Sequence, residues 1–505
     1  MNINYDIAII GGGILGCFTA RNLARYNWRV AVFEKNCDVC TEVSKANTAI
    51  IYPGYDPQPG SIKAKLNLKA VKNFNKLCED LGVNYKQPGS LMVSCGEIGD
   101  KVVKKKYEQG VLNGLTDLRL LSAAETLALE PGLNRAVSTS LFSPFTATLN
   151  PWELGIAGAM NASENNVDFY FNCEVHAIGK TGVQLDRNSN IITDAAYQLE
   201  AGEYSVSARA VVNCSGLYGD TISEIINSPY FKIDPSTADY LLLDESANEY
   251  VNHIIMYESE EKGNKLSIVP TVDGNVLLGP SRIKTKTIEA FDTTREGCDF
   301  IKKASAYVMP GLPLDTLIRS FASLRPKISL VAPDENGEYY LTGEKIHDIL
   351  IYETENPGFI NLAGIRTPGL TCCDEIGEYV TDMLLDILGS PGRKQDFRET
   401  LEKNERFANL TFEEQGELIR ANREYGKIVC RCKHVTEAEI RRCIRQTLGA
   451  TTLDGVKRRV GAQMGRCQGG FCTQRIIEIL AEEQGLDIAK IQKDGIGSEL
   501  LGIRD

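Results

Sequence analysis

The chain opens on an apolar run, residues 5–10 of YDIAIIGGG. A glycine-rich turn separates that run from a stretch whose apolar residues recur at helical spacing. Strand, turn, a helix from about Ile14 to Tyr26, and a second apolar strand in RVAVFE follow in order and end on Glu34. Related patterns return twice. ARAVVNCSGLYGD (208–220) is a strand running into Gly216 and Gly219, and residues 358–388 read as strand, a loop with Gly364, Pro368 and Gly369, and a helix from near Thr371. Such a helix points its free N–H groups and positive end at whatever fills the mouth of the loop. Between these segments lie the strand-like runs PGSLMVSC (88–95), ADYLLLD (238–244), KLSIVPTVDGNVLLGP (265–280) and GEYYL (337–341), with TVDG as a hairpin turn. The pattern predicts an α/β fold: a Rossmann-like nucleotide domain into which a mixed or antiparallel, sheet-rich domain is inserted.

These patterns set the expected boundaries. The oxidoreductase part spans 1–395, with a nucleotide-binding core at about 1–80, 145–225 and 355–395 and inserted segments at about 81–144 and 226–354. A charged, glycine-poor stretch at 396–425 reads as a linker. Beyond it, VTEAEIRRCI carries a capping box at Thr436 and Glu439, and TLDGVKRRV and TQRIIEILAEE read as short helices. A small, mainly helical domain at 426–490 and a tail at 491–505 are expected.

Composition narrows the function classes. The 505 residues carry a formal charge of −12, which disfavours a nucleic-acid surface. No apolar stretch reaches transmembrane length, and the N-terminus enters a strand directly with no basic and apolar leader, so a cytoplasmic protein is expected. In such a compartment the 15 cysteines read as thiols and metal ligands, not as a disulfide framework.

In the first turn, Gly11, Gly13 and Gly16 form GxGxxG. Gly11 permits the turn, Gly13 lets the backbone approach a pyrophosphate, and Gly16 lets the helix lie close on the sheet. Glu34 is placed for adenosine ribose hydroxyls. The loop by itself does not separate FAD from NAD.

Together with SKANTAIIYPGYDPQPGSIKAKLN (44–67), VVNCSGLYGD, VPTVDGNVLLGP, FASLRPK (321–327) and GIRTPGLT (364–371), this fingerprint resembles a group of FAD-dependent oxidoreductases. The group includes the L-2-hydroxyglutarate dehydrogenases and the anaerobic glycerol-3-phosphate dehydrogenase-like proteins. The resemblance spans about residues 4–390. It implies FAD as cofactor, held also by Ser44, Gly216, Gly364, Gly369, Leu370 and Thr371, and hydride transfer from a substrate C–H bond to the flavin. Three positions depart from that pattern. Tyr52-Pro53-Gly54 stands where a His-Ala-Gly is common, Ser236 where an arginine is common, and GIRTPGLT where glycerol-3-phosphate dehydrogenases have Gly-Gly-Lys and threonines. Candidate substrate contacts are Arg325 and Arg366, whose planar guanidinium groups suit an anion, and Tyr52, which takes the place of the missing imidazole.

Near the C-terminus, Cys430 and Cys432 form CxC and Cys467 and Cys472 form CxxxxC. Four thiolates suit tetrahedral zinc or a [2Fe–2S] cluster. The tight CxC spacing and a redox flavin in the same chain favour the cluster. Between 430 and 472 there are nine Lys or Arg residues against three acids, which reads as a basic setting for an anionic centre. CRCKHVTEAEI and MGRCQGGFC also resemble the bacterioferritin-associated-ferredoxin-like domain fused to several FAD dehydrogenases. The expected protein oxidises a small anionic hydroxy compound at FAD and relays electrons through the cluster to a second flavoprotein or redox subunit. An amino acid or amine dehydrogenase and an electron-transfer subunit without turnover are the alternatives.

Overall fold

The structure is a computed structural model and describes residues 1–181, 184–185, 191–193, 196–258, 265–285, 287–334, 339–346, 348–403 and 405–501. The start of GEYYL and the last residues of the tail lie outside that set. Asn2–Ile10 forms the central strand of an eight-stranded sheet, parallel to Tyr204–Asn213 on one side and Val30–Phe33 on the other. Val167–Tyr170 extends the sheet beyond Val30–Phe33, and Phe359–Ala363 pairs in parallel with Tyr204–Asn213. The helices Ile14–Leu23 and Cys373–Leu388 cover one face, with Ile7, Ile9, Leu23, Val212, Ile360 and Val380 buried between the layers. Near-continuous burial explains why these strands read as unbroken apolar runs.

The inserted sheet has ten strands, drawn from residues 90–143 and 231–345. Its longest ribbon pairs Phe231–Leu243 with Leu317–Pro333 in antiparallel register. The TVDG hairpin forms between Lys265–Pro270 and Val276–Gly279, closed by the Asn275 carbonyl accepting from the Thr271 N–H at 2.8 Å. Leu350–Glu353, by contrast, pairs with Phe359–Ala363 and so belongs to the nucleotide sheet.

Residues 394–401 lie along the nucleotide domain. The Arg398 N–H donates to Asn165, the Leu401 N–H donates to the Asp80 carbonyl, and Arg25 forms a double hydrogen bond to Glu399 at 2.6 Å. A helix, Phe412–Ala421, then leads to the C-terminal module. There Glu437–Arg445, Leu453–Val460 and Thr473–Gln484 pack around Ile440, Val456, Ile476 and Leu480. The Thr436–Glu439 capping box starts the first of these helices.

Candidate functional site

The glycine turn shapes the floor of a cavity of about 460 Å³. Gly11 has φ +101°, and a β-carbon there would stand 2.7 Å from the Cys214 carbonyl oxygen. One on Gly16 would stand 2.0 Å from the Gly11 carbonyl oxygen, so the helix sits against the strand only because that position is glycine. Gly13 and Gly216 line the cavity, and a β-carbon on Gly216 would meet open space. The Ser44 hydroxyl accepts from the Ile14 N–H at 3.0 Å, tying the wall of the cavity to the start of the helix.

Glu34 is buried, and its two carboxylate oxygens accept from the N–H groups of Gly12 at 2.7 Å and Asn36 at 2.8 Å. Burial raises its pKa against those two bonds. Each oxygen keeps a lone pair for a ribose hydroxyl. The turn, the open space and this carboxylate fit an adenine dinucleotide.

At the other end of the cavity stand Tyr52, Arg325, Arg366, Gly369, Leu370 and Thr371. Gly364 lies behind the wall: its φ is +65°, and a β-carbon there would strike Ile328. The Thr371 hydroxyl accepts from the Tyr52 N–H at 3.0 Å and so fixes Tyr52 to the turn before the helix Cys373–Leu388. The Tyr52 hydroxyl lies 3.2 Å from Thr48 Oγ1, and burial raises its pKa, so it stays a neutral donor. Arg366 is shifted downward by burial and then by the charges of Arg325 and Arg282. Arg282 is lowered by burial and by Arg325. Two guanidinium groups, Arg325 and Arg366, thus line this part of the cavity, and the positive charges of Arg325 and Arg282 bear on Arg366.

Sequence reasoning missed Arg282 and Lys63. Lys63 lines an adjoining cavity of about 500 Å³ that meets the first at Tyr52, Thr367 and Pro368. Burial and the Arg366 charge lower its pKa. Arg282 stands in LLGPSRIK, near enough for its charge to bear on Tyr52 and Arg366. The only histidine among the described residues that line the flavin cavity is His176, at the Glu34 end.

In the C-terminal module the four predicted cysteines come together as two thiol pairs. Cys432 Sγ and Cys467 Sγ are 3.4 Å apart, and Cys430 faces Cys472. Among the described residues they do not close into a single metal-binding shell of three or more side chains. The Cys472 thiol and then the backbone N–H groups of Gln463, Lys433 and Cys432 push Cys430 down to about 6, against burial. Against its burial cost, the Cys432 thiol and the N–H groups of Gly469, Phe471 and Gly470 hold Cys467 below its usual value. Loops that aim amides at sulfur suit anionic thiolates and a cluster bridging two cysteine pairs.

The basic setting expected from the charge count is largely committed to ion pairs. Arg441 pairs with Glu437, Glu482 and Glu483, Arg458 and Arg459 with Asp38, Arg466 with Asp244, and Lys433 with Glu245. Much of the excess counted along the sequence is offset by acids outside the counted segment, among them Asp38, Asp244, Glu245, Glu482 and Glu483.

Residues 6–383 match the family described as FAD dependent oxidoreductase. The chain belongs to the FAD-dependent oxidoreductases. In this oxidoreductase, residues 428–482, the segment that contains all four cysteines, also match the BFD-like [2Fe-2S] binding domain, which favours the cluster over zinc. FAD and a [2Fe–2S] cluster are its cofactors. The oxidoreductase is 37% identical over 497 residues to glycerol 3-phosphate dehydrogenase of Caloramator mitchellensis, covering 98% of each chain. It is 27% identical to L-2-hydroxyglutarate dehydrogenase of Escherichia coli, over 77% of this chain and 96% of the relative. The FAD-bound L-alpha-glycerophosphate oxidase of Mycoplasma pneumoniae superposes with a TM-score of 0.69 at 24% identity, covering 79% of this chain and 98% of that one. Its relatives are dehydrogenases and oxidases, so the oxidoreductase is an enzyme, and the reading as an electron-transfer subunit without turnover falls away. Among the described residues no helix is long and apolar enough to cross a membrane.

Proposed function

We propose that the enzyme dehydrogenates a small anionic hydroxy compound, with glycerol 3-phosphate the first candidate and a 2-hydroxy acid the second. The observation that carries this reading is that Arg325 and Arg366 both line the cavity together with Tyr52. Guanidinium groups hold phosphate or carboxylate by paired, charge-assisted hydrogen bonds. The guanidinium groups would hold the anionic end of the substrate, while the neutral Tyr52 hydroxyl would donate to a substrate oxygen and fix its orientation. Bound FAD supplies a two-electron acceptor, and a [2Fe–2S] centre supplies a one-electron outlet. The full-length similarity to a glycerol 3-phosphate dehydrogenase supports the phosphate substrate.

Electrons then leave through the C-terminal module to a partner redox protein, such as a second flavoprotein. None of the 15 cysteines is paired in a disulfide, which suits a reducing, cytoplasmic setting. An amine or amino acid substrate is the second reading, favoured by the lack of a histidine beside Tyr52 among the described residues. An anaerobic screen of flavin bleaching with glycerol 3-phosphate, 2-hydroxy acids and amino acids separates the two. Bleaching by glycerol 3-phosphate or a 2-hydroxy acid supports the proposal, and bleaching by an amino acid alone overturns it.

A further inference from the structure

The C-terminal module grips the nucleotide domain at a place remote in sequence from its cysteines. Asp38 is 5% exposed and begins the loop whose Thr41, Glu42, Val43 and Ser44 wall the FAD cavity. The two carboxylate oxygens of Asp38 accept from both terminal nitrogens of Arg459, at 2.7 and 2.9 Å, and from Arg458 at 3.1 Å. Arg458 also donates to Asp494 at 3.0 Å, and Lys45 lies 3.5 Å from that same carboxylate. The two arginine side chains are 5% and 3% exposed.

Such a contact is strongly directional. Removing one partner leaves a buried charge uncompensated, so the loop and the module either stay docked together or both rearrange. The loop is equally committed on its other side. The Cys40 N–H donates to the Gly12 carbonyl at 3.0 Å, and Cys40 itself sits at φ +54°. Four residues further on, Ser44 accepts from the first N–H of the helix that receives the pyrophosphate. A displacement of Asp38 therefore reaches the glycine turn and the phosphate seat through two hydrogen bonds.

We infer that docking of the C-terminal module and FAD binding are thermodynamically coupled. Arg458 and Arg459 are positioning residues that act on the nucleotide through Asp38 and residues 38–44. Coupling between two sites is reciprocal, so FAD tightens the docking of the module by the factor by which the docked module tightens FAD. The enzyme then holds its flavin firmly only when its electron outlet is in place.

The test uses the full-length protein with its cluster, stripped of FAD. Arg459→Met and Asp38→Asn are compared with the natural protein by fluorescence titration of added FAD, with iron and sulfide measured per chain. Both variants are expected to bind FAD more weakly, by about five-fold or more and within the ~5–150-fold span usual for coupled sites, with iron and sulfide unchanged. Hydrogen exchange on the natural protein supplies the reciprocal reading without any substitution, and adding FAD is expected to slow exchange in Leu453–Val460. The inference is overturned if FAD leaves that helix unchanged. It is equally overturned if Arg459→Met speeds exchange in the helix while FAD affinity stays as in the natural protein.

Discussion

Ser236 lies directly across from Arg325 on the two longest strands of the inserted sheet, and its hydroxyl is buried without a hydrogen-bond partner. Residues opposed in an antiparallel pair share one face, so the orphan hydroxyl and the guanidinium lie side by side. Arg325 itself lines the cavity together with Arg366 and Tyr52, where a guanidinium suits an anionic group. Arg325→Met and Arg366→Met are each expected to raise KM for the anionic substrate about ten- to a hundred-fold, the range of one charge-assisted hydrogen bond, with smaller effects on kcat. Steady-state kinetics with an artificial acceptor measures this split. A fall in kcat at unchanged KM would remove these arginines from substrate binding.

The cluster loop has no room to spare at Gly465. A β-carbon there would stand 2.3 Å from the Cβ of Cys432, and Gly465 is itself buried. Gly465→Ala is expected to push Cys432 out of line and cut iron and sulfide per chain, while FAD content stays near that of the natural protein. Elemental analysis alongside flavin absorbance checks both halves of this expectation.

Glu375, near the start of the flavin-domain helix Cys373–Leu388, is 5% exposed, and burial followed by the charge of Asp374 raises its pKa to about 8 from 4.5. The folded state therefore keeps a proton that the unfolded chain releases. Stability contributed by this group is complete below pH 4.5 and is lost as pH rises toward 8. At ~1.4 kcal/mol per pH unit, the loss reaches a few kcal/mol. Glu375→Gln is expected to flatten this slope, raising the urea midpoint relative to the natural protein more at pH 8 than at pH 5. Parallel profiles for the two proteins would contradict it.

Features set by local backbone demands were legible in the sequence. GxGxxG followed by Glu34 encodes one turn and one strand end, the capping box encodes one helix start, and the CxC and CxxxxC spacings mark the four thiols that the fold brings together as two pairs. Contacts between distant segments were not. Arg459 and Asp38 are separated by 421 positions, and only the fold brings them together. Arg282 carries no motif in the sequence, and only the fold sets its charge near Arg325 and Tyr52. Counting charges along 430–472 misread the surface for the same reason, since Asp38, Asp244 and Glu245 neutralise it from outside the segment.

The central claim is that one chain carries electrons from an anionic hydroxy substrate at the FAD site to a cluster held by Cys430, Cys432, Cys467 and Cys472. Low-temperature electron paramagnetic resonance after anaerobic addition of glycerol 3-phosphate tests it most directly, with flavin absorbance followed in the same sample. The account predicts flavin bleaching together with the signal of a reduced [2Fe–2S] cluster, and, in Cys467→Ser, bleaching with that signal lost. A bleached flavin beside a cluster that stays oxidised in the natural protein, at a substrate excess that dithionite shows to be reducible, would contradict it.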